Sequence, residues 1–272
     1  MTPKHDKTAG APPLLALLLV MALAGPGAFA PQASAQTILN TERFQLSEVD
    51  GFHMSADFSA DGEWGNSEVL TLGASGIVGQ RGGRHWVRLI FGGKYLADEE
   101  RAILDNRFGQ VRYSYIFSDR TQSFHFVQAQ RNETLRLRSR WLVGSGVRRT
   151  LHESEYSSLA LGTGLMGEWE RLDASAVGEG DPTDLDALRM ANQGVYTRDL
   201  DSGVRVINIL YLQPDVTDFS DLRILNDLGV LVPLTDHVRL TLSAEWRRDT
   251  RPPSELDKDD LTVSMSLGVD FR

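Results

Sequence analysis

The chain ends in the sequence LTVSMSLGVDFR, in which two kinds of residue alternate. From Leu261 to Phe271 every odd position is apolar and every even position is polar or small. A period of two residues is the pattern of a β-strand with one apolar and one polar face. In a soluble sandwich the apolar face packs into the core, whereas in a membrane barrel it contacts lipid and the polar face lines the lumen. This segment fits both, so the rest of the chain must decide.

The N-terminus has the pattern of a secretory signal peptide. Two lysines, Lys4 and Lys7, precede the apolar run Leu14–Ala24, which is too short for a spanning helix, and small residues follow. Cleavage sites lie after Ala30 and after Ala35, and we prefer the second because the first would leave a proline at the new terminus. An uncleaved inner-membrane anchor is the alternative interpretation.

The expected domain organisation follows from this cleavage. Residues 1–35 are the signal peptide, 36–49 an N-terminal periplasmic segment and 50–272 a single β domain. No second long apolar run occurs in the mature chain, which excludes a helical inner-membrane protein. A transmembrane barrel stays possible because its strands are only half apolar.

Composition excludes several function classes. The chain has no cysteine, so it has no disulfide framework, thiolate chemistry or cysteine-ligated metal. Its formal charge is −9, which argues against a nucleic-acid partner. We expect no cofactor.

Alternation and turn residues predict twelve strands and no persuasive amphipathic helix. Each strand is long enough for the roughly 9–11 residues that a tilted strand needs to cross a bilayer. The predicted strands are 50–61, 67–78, 84–95, 106–117, 122–132, 138–149, 156–169, 188–199, 203–213, 220–233, 237–248 and 260–271.

The connections between these strands alternate between two kinds. One set is short (GQRGGR, SDRT, RTLHESE, DLDSG and LTDH), and the other is mostly longer and more acidic (LADEERAILD, NETLRL, DASAVGEGDPTDLDA, PDVTDFS and DTRPPSELDKD). The first hairpin, DGEWGN, is short where length is expected. Turns at one rim and long loops at the other are typical of an up-and-down antiparallel transmembrane β-barrel. A Greek-key sandwich gives no reason for such sorting.

The side chains on the two strand faces favour the barrel as well. Aromatic residues near strand ends are candidates for an interfacial girdle, although strand aromatics also occur in ordinary cores. The girdle candidates are Trp86, Tyr113, Tyr115, Phe117, Trp141, Trp169, Trp246 and Phe271. Charges of both signs recur on the opposite face and suit a hydrated or salt-bridged lumen. The lumen-facing candidates are Asp57, Arg88, Lys94, Arg112, Arg223, Asp227, Arg239, Glu245, Arg247 and Asp270.

Three segments resemble a known family. They are NRFGQVRYSYIFSDRTQSFHFVQAQRNETLRLRSRWLVGSGVRRTL (106–151), DLRILNDLGVLVPLTDHVRLTLSAEWRRDTRPP (221–253) and the closing DDLTVSMSLGVDF. This order of strand ends and turns is similar to that of the DUF481 or YdiY-like bacterial outer membrane proteins, sometimes called salt-induced. The resemblance implies a barrel in the outer membrane of a Gram-negative-type bacterium, inserted by the barrel-assembly machinery. It brings no activity or binding residues. Arg272 follows the terminal aromatic Phe271, which departs from the usual final aromatic of such barrels.

Catalytic chemistry finds little support in the sequence. A twelve-stranded outer-membrane phospholipase would need a Ser and a His with an orienting polar group on one face. His125 has Ser123 two residues away, but no Ser-His-Asp type cluster is apparent, and we expect no enzyme. The glycine-rich segment 73–84 leads into no helix, which argues against a phosphate-binding loop.

The acidic loops allow two interpretations. Carboxylates cluster at 98–100, 179–186 and 257–260. They could hold divalent cations that bridge to lipopolysaccharide phosphates, because hard cations favour carboxylate oxygens. A solvated, self-repelling surface is the simpler interpretation.

Two functions from different classes remain. In the first, the barrel is a narrow passive pore for ions or small solutes, and inward arginines bias it toward anions. In the second, the lumen charges pair and close it, and the protein is a structural or envelope-stress barrel that binds lipid or partners through its loops. A soluble lipocalin-like calyx would overturn both.

Overall fold

The computed structural model describes residues 50–63, 69–98, 102–133, 135–175, 177–178, 180, 182–201, 203–252 and 256–271. The predicted signal peptide and periplasmic segment lie outside these residues. The strands are β1 (Gly51–Glu63), β2 (Val69–Gly82), β3 (His85–Asp98), β4 (Ala102–Ser118), β5 (Thr121–Asn132), β6 (Leu137–Glu153), β7 (Ser157–Leu172), β8 (Asp184–Met190), β9 (Asn192–Asp199), β10 (Arg205–Pro214), β11 (Leu222–Pro233), β12 (Val238–Asp249) and β13 (Asp259–Phe271). No helix in this described part is long and apolar enough to cross a membrane.

The strands form one closed antiparallel barrel. With the exception of β8 and β9, which both pair with β7, each strand pairs with its neighbours in sequence, and β1 pairs with β13 to close the sheet. β8 and β9 pair with successive parts of β7, and Leu165↔Met190 and Gly162↔Gln193 belong to one unshifted register. The amide of Ala191, between them, donates to the carbonyl of Gly164 at 2.9 Å. β8 and β9 therefore act as one continuous strand of the barrel, and the prediction of a twelve-stranded up-and-down barrel is confirmed.

The two rims differ as the sequence predicts. One end of the barrel contains the start of β1, the end of β13 and the turns at 83–84, 119–120, 154–156, 200–204 and 234–237. We call this end the turn rim. The other end, the loop rim, contains the segment 215–221 and the described residues of 173–183 and 250–258. Gly83 has a φ of 57°, a left-handed conformation that glycine adopts without steric cost. The segment 96–105 differs from its prediction as a long loop, because β3 and β4 extend to Asp98 and from Ala102.

Burial in this barrel is inverted relative to a soluble protein. In β13 the side chains of Leu261, Val263, Met265 and Leu267 are 48–61% exposed, and Gly268 in the same strand is buried. Large apolar side chains are exposed on strands around the barrel, whereas 23 polar or charged residues among those that the structure describes are buried. A contiguous apolar belt with a polar interior is the arrangement of a barrel surrounded by lipid. The apolar face of LTVSMSLGVDFR is therefore the outer one.

Candidate functional site

The interior contains a group of buried ion pairs centred on one glutamate. Glu168 in β7 accepts charge-assisted contacts from three arginines, and each of the four side chains is at most 7% exposed. The distances are 2.6 Å from Nε of Arg140, 2.7 Å from Nε of Arg189 and 2.5 Å from Nη1 of Arg223. The four residues come from β6, β7, β8 and β11, so the contacts connect strands that are not all neighbours.

Three more carboxylates balance these arginines. Glu170 contacts Arg140 and Arg223, and Asp249 accepts from Nε of Arg223 at 2.9 Å. Asp221 accepts two hydrogen bonds of 3.0 Å from Arg189. We refer to these residues together as the charge cluster: Arg140, Glu168, Glu170, Arg189, Asp221, Arg223 and Asp249. It lies toward the loop rim, because it draws on the loop-rim ends of β6, β7, β11 and β12.

Glutamine and aromatic side chains fill the interior next to the charge cluster. Gln110 donates to Gln128 at 2.8 Å, and the guanidinium of Arg112 lies 5.1 Å from the ring centre of Phe124. The cavity enclosed among these side chains is only about 40 Å³. One water needs roughly 10–15 Å³ of such space, so the cavity holds a few waters at most.

The wall formed by β12, β13, β1 and β2 is different, because small hydroxyl residues line it. Ser243 and Ser264 lie 3.0 Å apart across neighbouring strands through their hydroxyl oxygens. Six of these inward residues are partly exposed even though they face the interior: Ser59, Thr71, Ser75, Thr262, Ser264 and Ser266. We call this surface the hydroxyl wall.

A second set of ion pairs joins the strands of the hydroxyl wall at the turn rim. Arg239 in β12 contacts Asp57 of β1 at 2.8 Å, Asp270 of β13, and the hydroxyl of Ser55 at 3.1 Å. Gly268 makes room for this set, which we call the rim clasp. A Cβ at that position would lie 2.5 Å from Cζ of Arg239 and 2.6 Å from Oδ1 of Asp57.

The charged side chains of the hydroxyl wall are more exposed than those of the charge cluster, with the exception of Asp221 at the edge of the cluster, whose side chain is 21% exposed. The Asp57 and Arg239 side chains are 15% and 16% exposed, and Glu245 and Arg247, which pair at 2.6 Å, are 15% and 20% exposed. The Glu168 side chain is only 3% exposed. The interior therefore has a dry side built from β6–β8 and β11 and a hydrated side along β12, β13, β1 and β2.

The structure places the predicted lumen residues on inward-facing strand positions with very different exposure. Arg88, Arg112, Arg223 and Asp227 are at most 6% exposed, whereas Lys94 is exposed. Lys94 lies opposite Gly73, at whose position a Cβ would be 3.9 Å from the lysine Cγ. Those that line the hydrated side are Asp57, Arg239, Glu245, Arg247 and Asp270.

The predicted girdle residues, with one exception, lie on the outer face. Those with an exposed side chain are Phe117, Trp141, Trp169 and Phe271, and those that are partly exposed are Tyr113, Tyr115 and Trp246. The interpretation of Trp86 as a girdle residue is wrong. Trp86 is 6% exposed inside the barrel, and the Arg88 guanidinium lies 3.7 Å from its ring centre. Two residues apart in a strand, these side chains share one face.

The lumen-facing residues predicted from the sequence omit most of the charge cluster. Glu168 and Glu170 flank Trp169, which points outward, so alternation alone places both glutamates inside. The same argument applies to Arg189 beside Leu188, which is 46% exposed. No pattern in the sequence indicates that Arg223, 55 residues from Glu168, binds the same carboxylate.

The serine and histidine considered for catalysis lie on the outer side of the sheet. His125 contacts the hydroxyls of Ser123 at 3.1 Å and Ser145 at 2.9 Å, and its ring stacks 5.8 Å from that of Tyr113. Within the described ranges no group of three or more His, Asp or Glu side chains is placed to hold a metal ion. Several carboxylates of the acidic loops lie outside those ranges.

Comparisons with known proteins agree with a membrane-barrel fold. The sequence profile of a family described as "Protein of unknown function, DUF481" matches residues 56–271. Among solved structures, the chain is similar to the COG4313 outer membrane channel from Pseudomonas putida F1, with 9% identity, a TM-score of 0.52 and coverage of 86% of this chain and 100% of that one. At this identity the likeness concerns the fold alone.

Two further structures are more distant. The NanC porin has 10% identity, a TM-score of 0.47 and coverage of 82% of this chain and 100% of that one. The translocator domain of the autotransporter NalP from Neisseria meningitidis has 12% identity, a TM-score of 0.47 and coverage of 83% and 90%. Among curated proteins, none matches this chain in sequence.

Proposed function

The chain belongs to the DUF481 family, and we propose that it is an outer-membrane barrel that forms a narrow passive pore for ions or small hydrophilic solutes. The observation that carries the proposal is the difference between the two sides of the interior. Water reaches small hydroxyl side chains and ion pairs along β12, β13, β1 and β2, whereas the opposite side is filled and dry. The proposed path follows the hydroxyl wall from the loop rim to the rim clasp.

Serine and threonine suit such a path because their hydroxyls both donate and accept hydrogen bonds. They can exchange partners with passing water or hydrated ions without leaving a buried charge unpaired. A passage lined by hydroxyls along one wall of a barrel is narrow, since the dry side occupies much of the cross-section. We therefore expect small conductance rather than that of a wide general porin.

The charges along the proposed path are close to balanced. On the hydrated side of β12, β13 and β1 the inward carboxylates are Asp57, Glu245, Asp260 and Asp270, against Arg239 and Arg247. Lys94 and Arg81, toward opposite ends of β2 and β3, offset this excess of two, so we expect no strong preference between cations and anions. The anion bias expected from the sequence depends on inward arginines, but two of these, Arg88 and Arg112, are each only 4% exposed and lie away from the hydrated side.

Single-channel recording tests the proposal. The mature protein, refolded in detergent and inserted into a planar bilayer, should give small, discrete and reproducible current steps. Ser264→Phe places a ring on the hydroxyl wall and should abolish or strongly reduce them. Val263→Phe, one residue away on the lipid face, is the matched control and should leave them unchanged. Equal currents for wild type and Ser264→Phe would refute this path.

A non-conducting structural barrel is the second candidate, and the charge cluster favours it. Six buried charged residues and the partly exposed Asp221 connect β6, β7, β8, β11, β12 and the loop before β11, which fixes the loop-rim end of the barrel. Such a barrel would act through its loops on lipopolysaccharide or other partners. The absence of current from protein that is shown to be inserted in the bilayer would support this candidate over the pore.

A further inference from the structure

We propose that three outward-facing arginines, Arg107, Arg131 and Arg138, bind the phosphate groups of lipopolysaccharide in the outer leaflet. This inference depends on the barrel lying in an outer membrane, and it does not depend on whether the lumen conducts. We call the three residues the arginine patch.

The patch brings three cations together on neighbouring strands. Arg107 in β4 lies directly opposite Arg131 in β5. Arg138 is in a bulge of β6, where residues 138 and 139 lie opposite Arg131. Arg107 and Arg131 share the outer face with Val111 and Val127, which are 52% and 46% exposed. All three arginines are exposed.

Within the described part of the chain, only some of this positive charge is compensated. Arg131 pairs with Glu133 at 3.1 Å. Asp173 is near enough to Arg138 and Arg131 that their charges help lower its pKa, although hydrogen bonds from Ser175 are the larger cause. Like charges directly opposite on neighbouring strands are destabilising. An anion between the side chains of Arg107 and Arg131 would remove that cost.

The patch lies at the height of lipid headgroups. Trp141 and Trp169 are paired across β6 and β7 with 53% and 44% exposure, and outward tryptophans of this kind mark the membrane interface. Trp141 lies opposite Ala129, and Arg131 follows two residues nearer the loop rim. At about 3.4 Å per residue the arginine backbone is roughly 7 Å farther along the strand, which is about 5 Å beyond the tryptophan level at a strand tilt of roughly 40°. Headgroup phosphates are the anions expected at that level, and guanidinium groups bind them bidentately.

The neighbouring Arg171 provides a matched contrast. It lies next to the bulge, opposite Ser139, but it pairs with Asp184 at 2.6 Å and Asp186 at 2.8 Å. Two carboxylates already occupy its donors. We therefore expect weaker binding of a lipid phosphate at Arg171, although its height on the barrel is similar.

Native mass spectrometry of the refolded protein with bis-phosphorylated lipid A tests the patch. Each arginine near an anionic lipid surface contributes roughly a fivefold change in binding, so Arg107→Gln, Arg131→Gln and Arg138→Gln together should weaken it on the order of a hundredfold. Arg171→Gln should leave binding unchanged. Heat-modifiable migration on a gel checks folding; if the triple variant does not refold, Arg107→Gln alone decides, with an expected loss of about fivefold.

Two further arms separate the sources of phosphate. Lipid A lacking both phosphates should bind no better to wild type than to the triple variant. Millimolar inorganic phosphate should not displace bis-phosphorylated lipid A; displacement would mean a site for free phosphate and would overturn the assignment to lipid. Equal binding of bis-phosphorylated lipid A to wild type and to the patch variant would also overturn it. The bilayer recordings on Ser264→Phe are independent of these outcomes.

Discussion

Replacing Glu168 by glutamine should destabilise the barrel strongly. The substitution keeps the shape of the side chain but removes the charge that Arg140, Arg189 and Arg223 contact at 2.5–2.7 Å. With a side chain only 3% exposed, water cannot replace the lost carboxylate. Removing one partner of a buried ion pair costs about 3–5 kcal/mol. The amide nitrogen would in addition present a donor to guanidinium donors.

Glu245→Gln is the matched control, because it is the same chemical change on another inward position. Glu245 pairs with Arg247 at 2.6 Å, but their side chains are 15% and 20% exposed. Water compensates part of that loss, so the cost should be at most about 1 kcal/mol.

Thermal unfolding in detergent, followed by heat-modifiable migration and circular dichroism, measures the difference. At about 2–4 °C per kcal/mol for a chain of this size, Glu168→Gln should lower the Tm by about 6–20 °C and Glu245→Gln by no more than about 4 °C. Equal shifts in the two variants would refute the division of the interior into a dry and a hydrated side.

Two other perturbations follow from single contacts. Gly268→Ala should open the rim clasp, because the new Cβ would lie 2.5 Å from Cζ of Arg239. Single-channel conductance should then rise. Gly109→Ala, where a Cβ meets nothing within 4 Å, is the control and should leave the conductance unchanged. Burial raises the pKa of Asp215, but hydrogen bonds from the hydroxyl and amide of Thr217 outweigh it and hold the pKa below its usual 3.8. The stabilisation of this loop is thus present above pH 3.8 and lost as the pH falls through the lowered pKa. Protection of the Thr217 amide from hydrogen exchange should be lost over the same pH range. In Asp215→Asn the protection should be lost at every pH.

The strand architecture follows from the sequence because a barrel wall needs only local information. Alternation assigns each strand and its two faces, and the sorting of turns and loops places the two rims. The continuous strand formed by β8 and β9 matches the single predicted strand 188–199, although it starts earlier, at Asp184. These features depend on neighbours in sequence and are therefore readable from it.

The arrangement inside the barrel does not follow from local patterns. Alternation places Glu168 and Arg223 inside, but their contact spans 55 residues and depends on how strands face one another across the lumen. The same limitation hides which inward charges are hydrated: Arg88 and Arg239 have equivalent patterns, yet one is 4% exposed and the other lies on the hydrated side with a side chain 16% exposed. For Trp86 the residue type suggests a girdle position, whereas the strand phase places it inside, and the structure agrees with the strand phase.

The most direct test of the account is the accessibility of two adjacent positions to an aqueous thiol reagent. Because the chain has no cysteine, Ser264→Cys and Met265→Cys each introduce a single reactive thiol. With the protein in a planar bilayer, we expect a charged, membrane-impermeant reagent to modify Ser264→Cys and reduce the current, while Met265→Cys stays unmodified in lipid. Modification of Met265→Cys with protection of Ser264→Cys would contradict the orientation of the strand. Protection of both would contradict the hydrated passage.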